Sequence, residues 1–523
     1  MALKIYDTTL RDGSQSTDVN FGLRDKLEIV RALDDFGADY IELGWPGSNP
    51  KDMECFAEAA KVKLKYSKIV AFGATRRKGI KAKQDYNLQA ILKSKARVAC
   101  IFGKTWLEHV KKQLKADEKE NLAAIKDSVE FLKKNKLEVH YDLEHFFDGF
   151  KDDKKYALEC LKVAADAGAD VLVLCDTNGG CLPDDAERII REVNVFLKRE
   201  KIKAELGVHM HNDSGCGVAN SLKAVELGVT HLHGTINGLG ERAGNADLCQ
   251  IIPGLMLKKK ARLPRIRLKR LVEISRLVYT LTNLKPDNRQ PYVGGHAFSH
   301  KGGVHVDALM KGATYEHVDP ASVGNMREVV LSDLSGKANI VEVAKEFGVK
   351  VEKDDPRVKE MLKEVEFMEK KGYDIGGLKA ERFLLHEKYF GKNPELFRVK
   401  KWSVKSEHDD TTGKETSSCV LLVDAKGKVE EFSESVKGGP VDALYKALRT
   451  AIAKSYKNLQ DIKLLNYKVR IFEEKGVESS VRVYIEFKNG KEEWGTVGVS
   501  TNIIEASFKA IVKGFKYYLL KHN

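Results

Sequence analysis

The sequence predicts an α/β protein: a (β/α)8 barrel over residues 1–275, a helical connector over 276–395 and a duplicated βββα module over 396–523. Three observations carry this. The first half alternates eight short apolar runs with longer amphipathic stretches. Val, Ile and Leu dominate several of those runs, as parallel strands buried on both faces require. Beyond residue 396 or so the pattern changes to period two, and it repeats itself once.

The eight runs are Lys4–Thr9, Ala38–Gly44, Ile69–Ala74, Arg97–Gly103, Glu138–Phe146, Ala169–Thr177, Ala204–Asn212 and Thr230–Asn237. Helix-like segments lie between them, among them Leu23–Phe36, Asn121–Lys134, Lys154–Ala167 and Pro183–Arg199. Gly37, Gly168 and Gly228 stand where such helices must stop before the next strand. Eight strand–helix alternations fit a closed barrel. An open doubly wound sheet is the alternative, but it usually carries a glycine-rich phosphate turn after its first strand. Asp7-Thr8-Thr9-Leu10-Arg11-Asp12 is nothing like one.

The connector mixes helices with glycine pairs such as Gly294-Gly295 and Gly302-Gly303. In the last section Val441–Leu448 recurs as Ile504–Ile511, and each copy follows three strand-like runs. The first set lies around Trp402, Val420–Val423 and Val429–Phe432, the second at Tyr467–Phe472, Val481–Phe487 and Glu492–Val499. The repeat carries no catalytic cluster, which points to a regulatory or dimerisation module.

With 523 residues, 42% hydrophobic and 32% charged, the chain has material for two or three domains with a substantial core. No stretch approaches the length of a membrane span, and Met1-Ala2-Leu3-Lys4-Ile5 runs into a strand with no signal peptide. A cytoplasmic enzyme is expected. The eight cysteines are scattered without a CxxC, which favours reduced, packed thiols. The net charge of +13 is spread at helical spacing among glutamates. Its densest cluster, from Lys258 to Arg270, lacks interleaved aromatics, so no nucleic-acid partner is expected.

In a (β/α)8 barrel the working residues sit at the C-terminal ends of the strands. The first run leads to Arg11, Asp12 and Gln15. In the fifth, His140, Asp142 and Glu144 alternate onto one face. The sixth ends in Asp176-Thr177-Asn178 and the seventh in His209-Met210-His211-Asn212-Asp213, while Gly238–Asn245 follows the eighth. Two residues apart on a strand, His209 and His211 project to one side and can share a metal ion. Asp12 can add a carboxylate oxygen and Asn245 an amide oxygen. Such a mixed set suits Mn²⁺, Mg²⁺ or Zn²⁺. A second pair, His231 and His233, comes earlier in its strand and belongs deeper in the barrel or towards its other mouth.

Asp7–Gln15 resembles the opening motif of the DRE-type TIM-barrel metalloenzymes, and His209–Asp213 and Gly238–Ala246 resemble that superfamily's other two signatures. Ala297–Asp307 is similar to the connector of its acetyl-CoA-using synthases, and Gly438–Leu444 to their allosteric dimer domain. The resemblance, over nearly the whole chain, is to the isopropylmalate/homocitrate/citramalate synthase family. It implies condensation of acetyl-CoA with a 2-oxo acid, in a homodimer. Arg11 would stabilise the developing alkoxide, and Gln15 and Thr177 would bind substrate. Glu144 would enolise acetyl-CoA or orient the group that does, and His305 and Tyr315 would assist from the partner subunit. The family often has Asn where this chain has Ala313. Structural alternatives stand beside these roles: an Arg11–Asp12 ion pair, Glu144 orienting a histidine, His305 capping the turn after Gly302-Gly303, Glu241 pairing with Arg242.

Glu42–Asp52, Glu144–Gly149 and Cys175–Gly180 resemble the branch of the family that uses pyruvate. Phe72, Ile101 and Phe102 at the tops of the third and fourth strands could shrink the pocket to a methyl group. 2-Oxoisovalerate is the alternative substrate. With pyruvate, isoleucine is the implied feedback inhibitor.

Overall fold

A computed structural model describes residues 3–312, 315–332, 335–373, 375–376, 378–392, 394–457, 459–471, 479–490 and 492–522. The chain forms two compact units: the segment up to Phe298 with Val318–Met326, and Ser299–His317 with the chain from Arg327 onward.

The first unit is a closed barrel of eight parallel strands in sequential order: β1 Lys4–Asp7, β2 Tyr40–Gly44, β3 Lys68–Ala74, β4 Val98–Lys104, β5 Glu138–Glu144, β6 Val171–Asp176, β7 Glu205–Met210 and β8 His231–Gly234. All eight expected runs carry a strand, most of them trimmed at the ends. Two expected helices, Leu23–Phe36 and Pro183–Arg199, have the expected bounds. Their apolar faces pack on the outward residues of the strands, such as Ile41, Ile101, Leu143, Leu172 and Val208, in one continuous core. Gly37 ends the first helix at φ 104°, where a Cβ would lie 2.0 Å from the Arg265 carbonyl oxygen, so only glycine fits.

The inward residues are unusually polar low in the barrel. His140, His231 and Tyr40 lie edge-on or tilted to one another, and His233 stacks on Tyr6 with ring centroids 3.7 Å apart. Glu138 and Glu205 take hydrogen bonds from this layer, the first from Tyr40 at 2.6 Å, and the second lies 3.0 Å from His231 Nε2.

In the second unit two short strands, β9 Ser299–His300 and β10 Glu328–Val329, pair in parallel, and the helices Lys337–Glu346, Pro356–Lys370 and Lys379–Tyr389 follow. The period-two region is indeed a βββα unit twice over. Strands β11 Phe397–Asp409, β12 Lys414–Ala425 and β13 Lys428–Val436 form one antiparallel sheet, backed by the helix Pro440–Ala453. Strands β14 Lys463–Ile471, β15 Val481–Asn489 and β16 Glu492–Ser500 form the other, backed by Ile503–His522. Phe472, the end of one expected run, lies outside the described residues. Both helices and the inner faces of both sheets share a single core, with Leu444, Leu448, Ile485, Phe487 and Phe515 at its centre. No helix among the described residues is long and apolar enough to cross a membrane.

Candidate active site

The turn behind β1 is tied down before it carries any chemistry. The Asp7 carboxylate accepts the Thr9 amide and hydroxyl, both at 2.9 Å, and Thr9 Oγ1 accepts the Ile236 N–H at 2.8 Å. Burial pushes the Asp7 carboxyl up to about 7 against those hydrogen bonds. The turn then presents Arg11 and Asp12, with Gln15 at the end of a short 3-10 turn. Arg11 donates from Nε to Glu42 Oε1 at 2.5 Å and from Nη1 to Asp12 Oδ2 at 2.6 Å. Its guanidinium lies over the Phe72 ring, 3.7 Å from the centroid. Glu42 is wholly buried and also accepts the hydroxyls of Thr8 and Tyr6.

On the other side of Asp12 stand the two histidines at the end of β7. Asp12 Oδ2 is 3.6 Å from His209 Nε2 and 3.9 Å from His211 Nε2. Asn245 completes the group: its Oδ1 lies 2.8 Å from His209 Nε2, and its Nδ2 donates to Asp12 Oδ1 at 2.9 Å. The loop that delivers Asn245 depends on Gly244, at φ 87°, where a Cβ would sit 1.9 Å from the Gly238 carbonyl oxygen. Burial opposes charge on Asp12, but Arg11, both histidines and the Asn245 hydrogen bond hold its carboxyl far below the usual range. Burial, reinforced by His209, draws His211 down to about 4. A carboxylate and an uncharged imidazole are the forms in which these groups bind a cation.

Donor atoms of Asp12, His209 and His211 all lie within 4.8 Å of one another. Two imidazole nitrogens, a carboxylate oxygen and an adjacent amide oxygen match the donor chemistry of a divalent metal site. Asp142, His209 and His233 form a second such triple just below, so His233 comes nearer to the cluster than its early place in β8 suggests. Burial pushes Asp142 up to about 6. His231 is held away, on Glu205.

The cluster opens into a cavity of about 240 Å³ that is also lined by Gln15, Glu144, Thr177, Glu241 and Arg242. Glu144 closes one side, ion-paired with Lys104. The Thr177 hydroxyl accepts the His145 N–H at 2.8 Å, which leaves its own proton free for a ligand. Arg242 grips Asp213 at 2.8 and 3.2 Å and donates to the Thr177 carbonyl at 2.8 Å, while its approach to Glu241 is longer, 3.5 Å. Three aromatic rings form the apolar wall. Phe72 and Phe102 stack at 5.5 Å, and Trp45 stands perpendicular to both.

Comparison with known proteins adds the family. The chain matches the HMGL-like family over residues 2–278, the homocitrate synthase post-HMGL domain-like family over 292–372, and the LeuA allosteric (dimerisation) domain over 380–519. It is 47% identical to an (R)-citramalate synthase of Geobacter sulfurreducens, over 99% of this chain and 98% of that one. An (R)-citramalate synthase of Aquifex aeolicus is 45% identical, with the same coverage. A 2-isopropylmalate synthase of Methanocaldococcus jannaschii is 32% identical over 99% of this chain and 95% of its own. The chain belongs to the (R)-citramalate synthase family.

For a member of that family, and of the metal-dependent HMGL-like enzymes around it, the barrel gathers Arg11, Asp12, Gln15, Glu144, Thr177, His209, His211 and Asn245 in one place. His305 and Tyr315 belong to the second unit, where they stack on each other with centroids 4.1 Å apart. The His305 amide also donates to the Gly302 carbonyl at 3.1 Å, in the first turn of the helix Gly303–Met310 that begins within the glycine pair. Ala313 lies outside the described residues. One expectation is corrected. Ile101 does not narrow the pocket; it alternates to the outer face of β4 and is lost in the helix-facing core. Trp45 takes that place instead. Lys104, Glu42 and Asp142 also reach the site without having been assigned a part in it. Lys104 could have been found by placing the end of the fourth strand beside that of the fifth.

Proposed function

We propose that this chain condenses acetyl-CoA with pyruvate and water, giving (R)-citramalate and coenzyme A. The observation that carries the reading is the Asp12–His209–His211 cluster, opening beside Arg11 and Glu144 into a small aromatic-walled cavity. Full-length similarity to (R)-citramalate synthases supports pyruvate as the acceptor.

Asp12, His209, His211 and Asn245 would hold a divalent ion (Mn²⁺, Mg²⁺ or Zn²⁺), which supplies Lewis-acid polarisation of the keto group. The chain's own residues do the rest. Thr177 donates its free hydroxyl proton to the pyruvate carboxylate, and Gln15 borders the same space. Glu144 takes a methyl proton from the acetyl thioester. The resulting carbon nucleophile forms a bond to C2 of pyruvate, and the carbonyl π pair moves onto oxygen. Arg11 spends its Nε proton and one Nη1 proton on carboxylates, so its Nη2 protons are among the donors available to that oxygen. The alkoxide takes up the proton that Glu144 removed and becomes the tertiary hydroxyl. Water then attacks the thioester carbonyl, the carbon–sulfur bond breaks, and the coenzyme A thiolate leaves and takes one proton of that water, while the new carboxyl group releases the other. His305 and Tyr315, already paired by stacking, relay protons in this step from the partner subunit of a homodimer.

Phe72, Phe102 and Trp45 favour a methyl substituent over an isopropyl one by filling the pocket's apolar end. The C-terminal module, of the LeuA allosteric kind, binds isoleucine as feedback inhibitor and joins the two subunits. Eight free cysteines accord with the reducing cytoplasm. The test is thiol release from acetyl-CoA with Mn²⁺ or Mg²⁺, comparing pyruvate, 2-oxoisovalerate and 2-oxoglutarate. Pyruvate-dependent release with citramalate as product is the expected result. Preference for 2-oxoisovalerate would reassign the acceptor, and silence with all three would sink the reading.

A further inference from the structure

Lys104 is the last residue of β4 and stands beside Glu144 in the β4–β5 register. Its side chain is only 7% exposed, and its ammonium pairs with Glu144 Oε2. Among the described residues no other carboxylate is ion-paired with it, and the ammonium lies 5.6 Å from the centre of the Phe102 ring. The backbone here is fixed from both sides. The Lys104 carbonyl accepts Asn121 Nδ2 at 2.8 Å, and the Thr105 N–H donates to the Glu144 carbonyl at 3.2 Å.

A buried ammonium costs folding free energy unless it is paired, and a buried pair is rarely a net gain over apolar packing. A lysine kept there with a single carboxylate partner therefore points to what it does for that partner. Oε2 is the buried oxygen of Glu144, yet Glu144 lines the cavity. The pair thus ties back one carboxylate oxygen and turns the other toward the substrate space.

We propose that Lys104 is a positioning residue for the condensation: its ammonium holds one oxygen of Glu144 and aims the other at the methyl group of the acetyl thioester. This rests on Glu144 being the proton acceptor. Other titratable groups face Glu144 as well. His109 comes from the helix Leu107–Lys112, Tyr141 from β5 and Cys175 from β6, with His145 next in the chain. His109 stacks between Trp106 and His145, and burial, His145 and Lys104 all favour its neutral form. Burial holds Tyr141 and Cys175 protonated. Among the described residues, Lys104 is the one lysine or arginine ion-paired with the Glu144 carboxylate.

The experiment compares Lys104→Met, Lys104→Arg and Glu144→Gln in the full chain, reading kcat and KM against pH by thiol release together with the melting temperature. In Lys104→Met the acidic limb of kcat is expected to move up by about one pH unit or more, because a carboxylate without its cation holds its proton more tightly. The loss in kcat, about 100-fold near neutrality, should shrink as pH rises, with KM for pyruvate changed by less than about threefold. Lys104→Arg should restore the wild-type profile. A uniform loss at every pH, or no loss, would overturn the proposal. Lys104→Gln serves as a second uncharged variant if methionine disturbs packing, and failure of both to fold would assign the pair to stability and overturn it too. Glu144→Gln separates the two ideas. If it stays active, the base assignment fails and the inference with it; if it is dead while Lys104→Met keeps the wild-type profile, only the inference fails.

Discussion

Arg11 donates from Nε to the wholly buried Glu42 at 2.5 Å, so the guanidinium that faces the cavity is aimed from behind by a carboxylate that never meets solvent. Removing one partner of a buried pair typically costs about 3–5 kcal/mol. Glu42→Gln keeps the shape and deletes the charge. It should lower kcat/KM at least about tenfold and the melting temperature by several degrees. Unchanged kcat/KM would show that Arg11 is held well enough by Asp12 alone.

Asn245 bridges His209 and Asp12. Chelation should abolish thiol release, and Mn²⁺ or Mg²⁺ should restore it. Asn245→Ala should weaken Mn²⁺ affinity by about 10- to 100-fold, read by titrating free Mn²⁺ without any turnover. Unaltered affinity would remove Asn245 from the site.

Phe102 forms part of the aromatic wall and makes no hydrogen bond that must be preserved. Phe102→Ala should raise the ratio of kcat/KM for 2-oxoisovalerate over pyruvate by about 10- to 100-fold, the size of effect that a few methylene contacts command. A ratio that does not move would place the specificity elsewhere.

Burial, with His140 and Lys4 nearby, draws folded His231 down to about 3, against 6.5 for the free side chain. Between those values the unfolded chain binds the extra proton. The stability due to neutral His231 is therefore complete above about pH 6.5 and is lost as pH falls toward 3. In urea denaturation, His231→Gln should flatten the decline between about pH 7 and pH 5, by up to about 1.4 kcal/mol per pH unit. An unchanged slope would mean that the acid lability has another source.

The barrel was legible because strands buried on both faces must be apolar and helices must end where a residue such as Gly37 permits a left-handed turn. The metal cluster was legible because two residues apart on a strand means the same side, as at His209 and His211. What escaped notice depends on relations between strands. Nothing local to Lys104 announces Glu144 as its partner, since their closeness follows from register, some forty residues on. Ile101 and Trp45 show the complementary failure. A bulky residue near a strand end was credited to the pocket, although alternation turned Ile101 outward, while Trp45 reached in from the turn after β2.

The two βββα copies share one apolar interior, across which Tyr445 of the first stacks on Phe515 of the second. Neither copy can loosen without exposing the other's half of that interior, so the duplicated module should open and close as one cooperative body. Amide protons in the helices Pro440–Ala453 and Ile503–His522 should then exchange at matched rates. A ligand that tightened either copy would be felt in both, which makes the repeat a natural amplifier of a small binding signal.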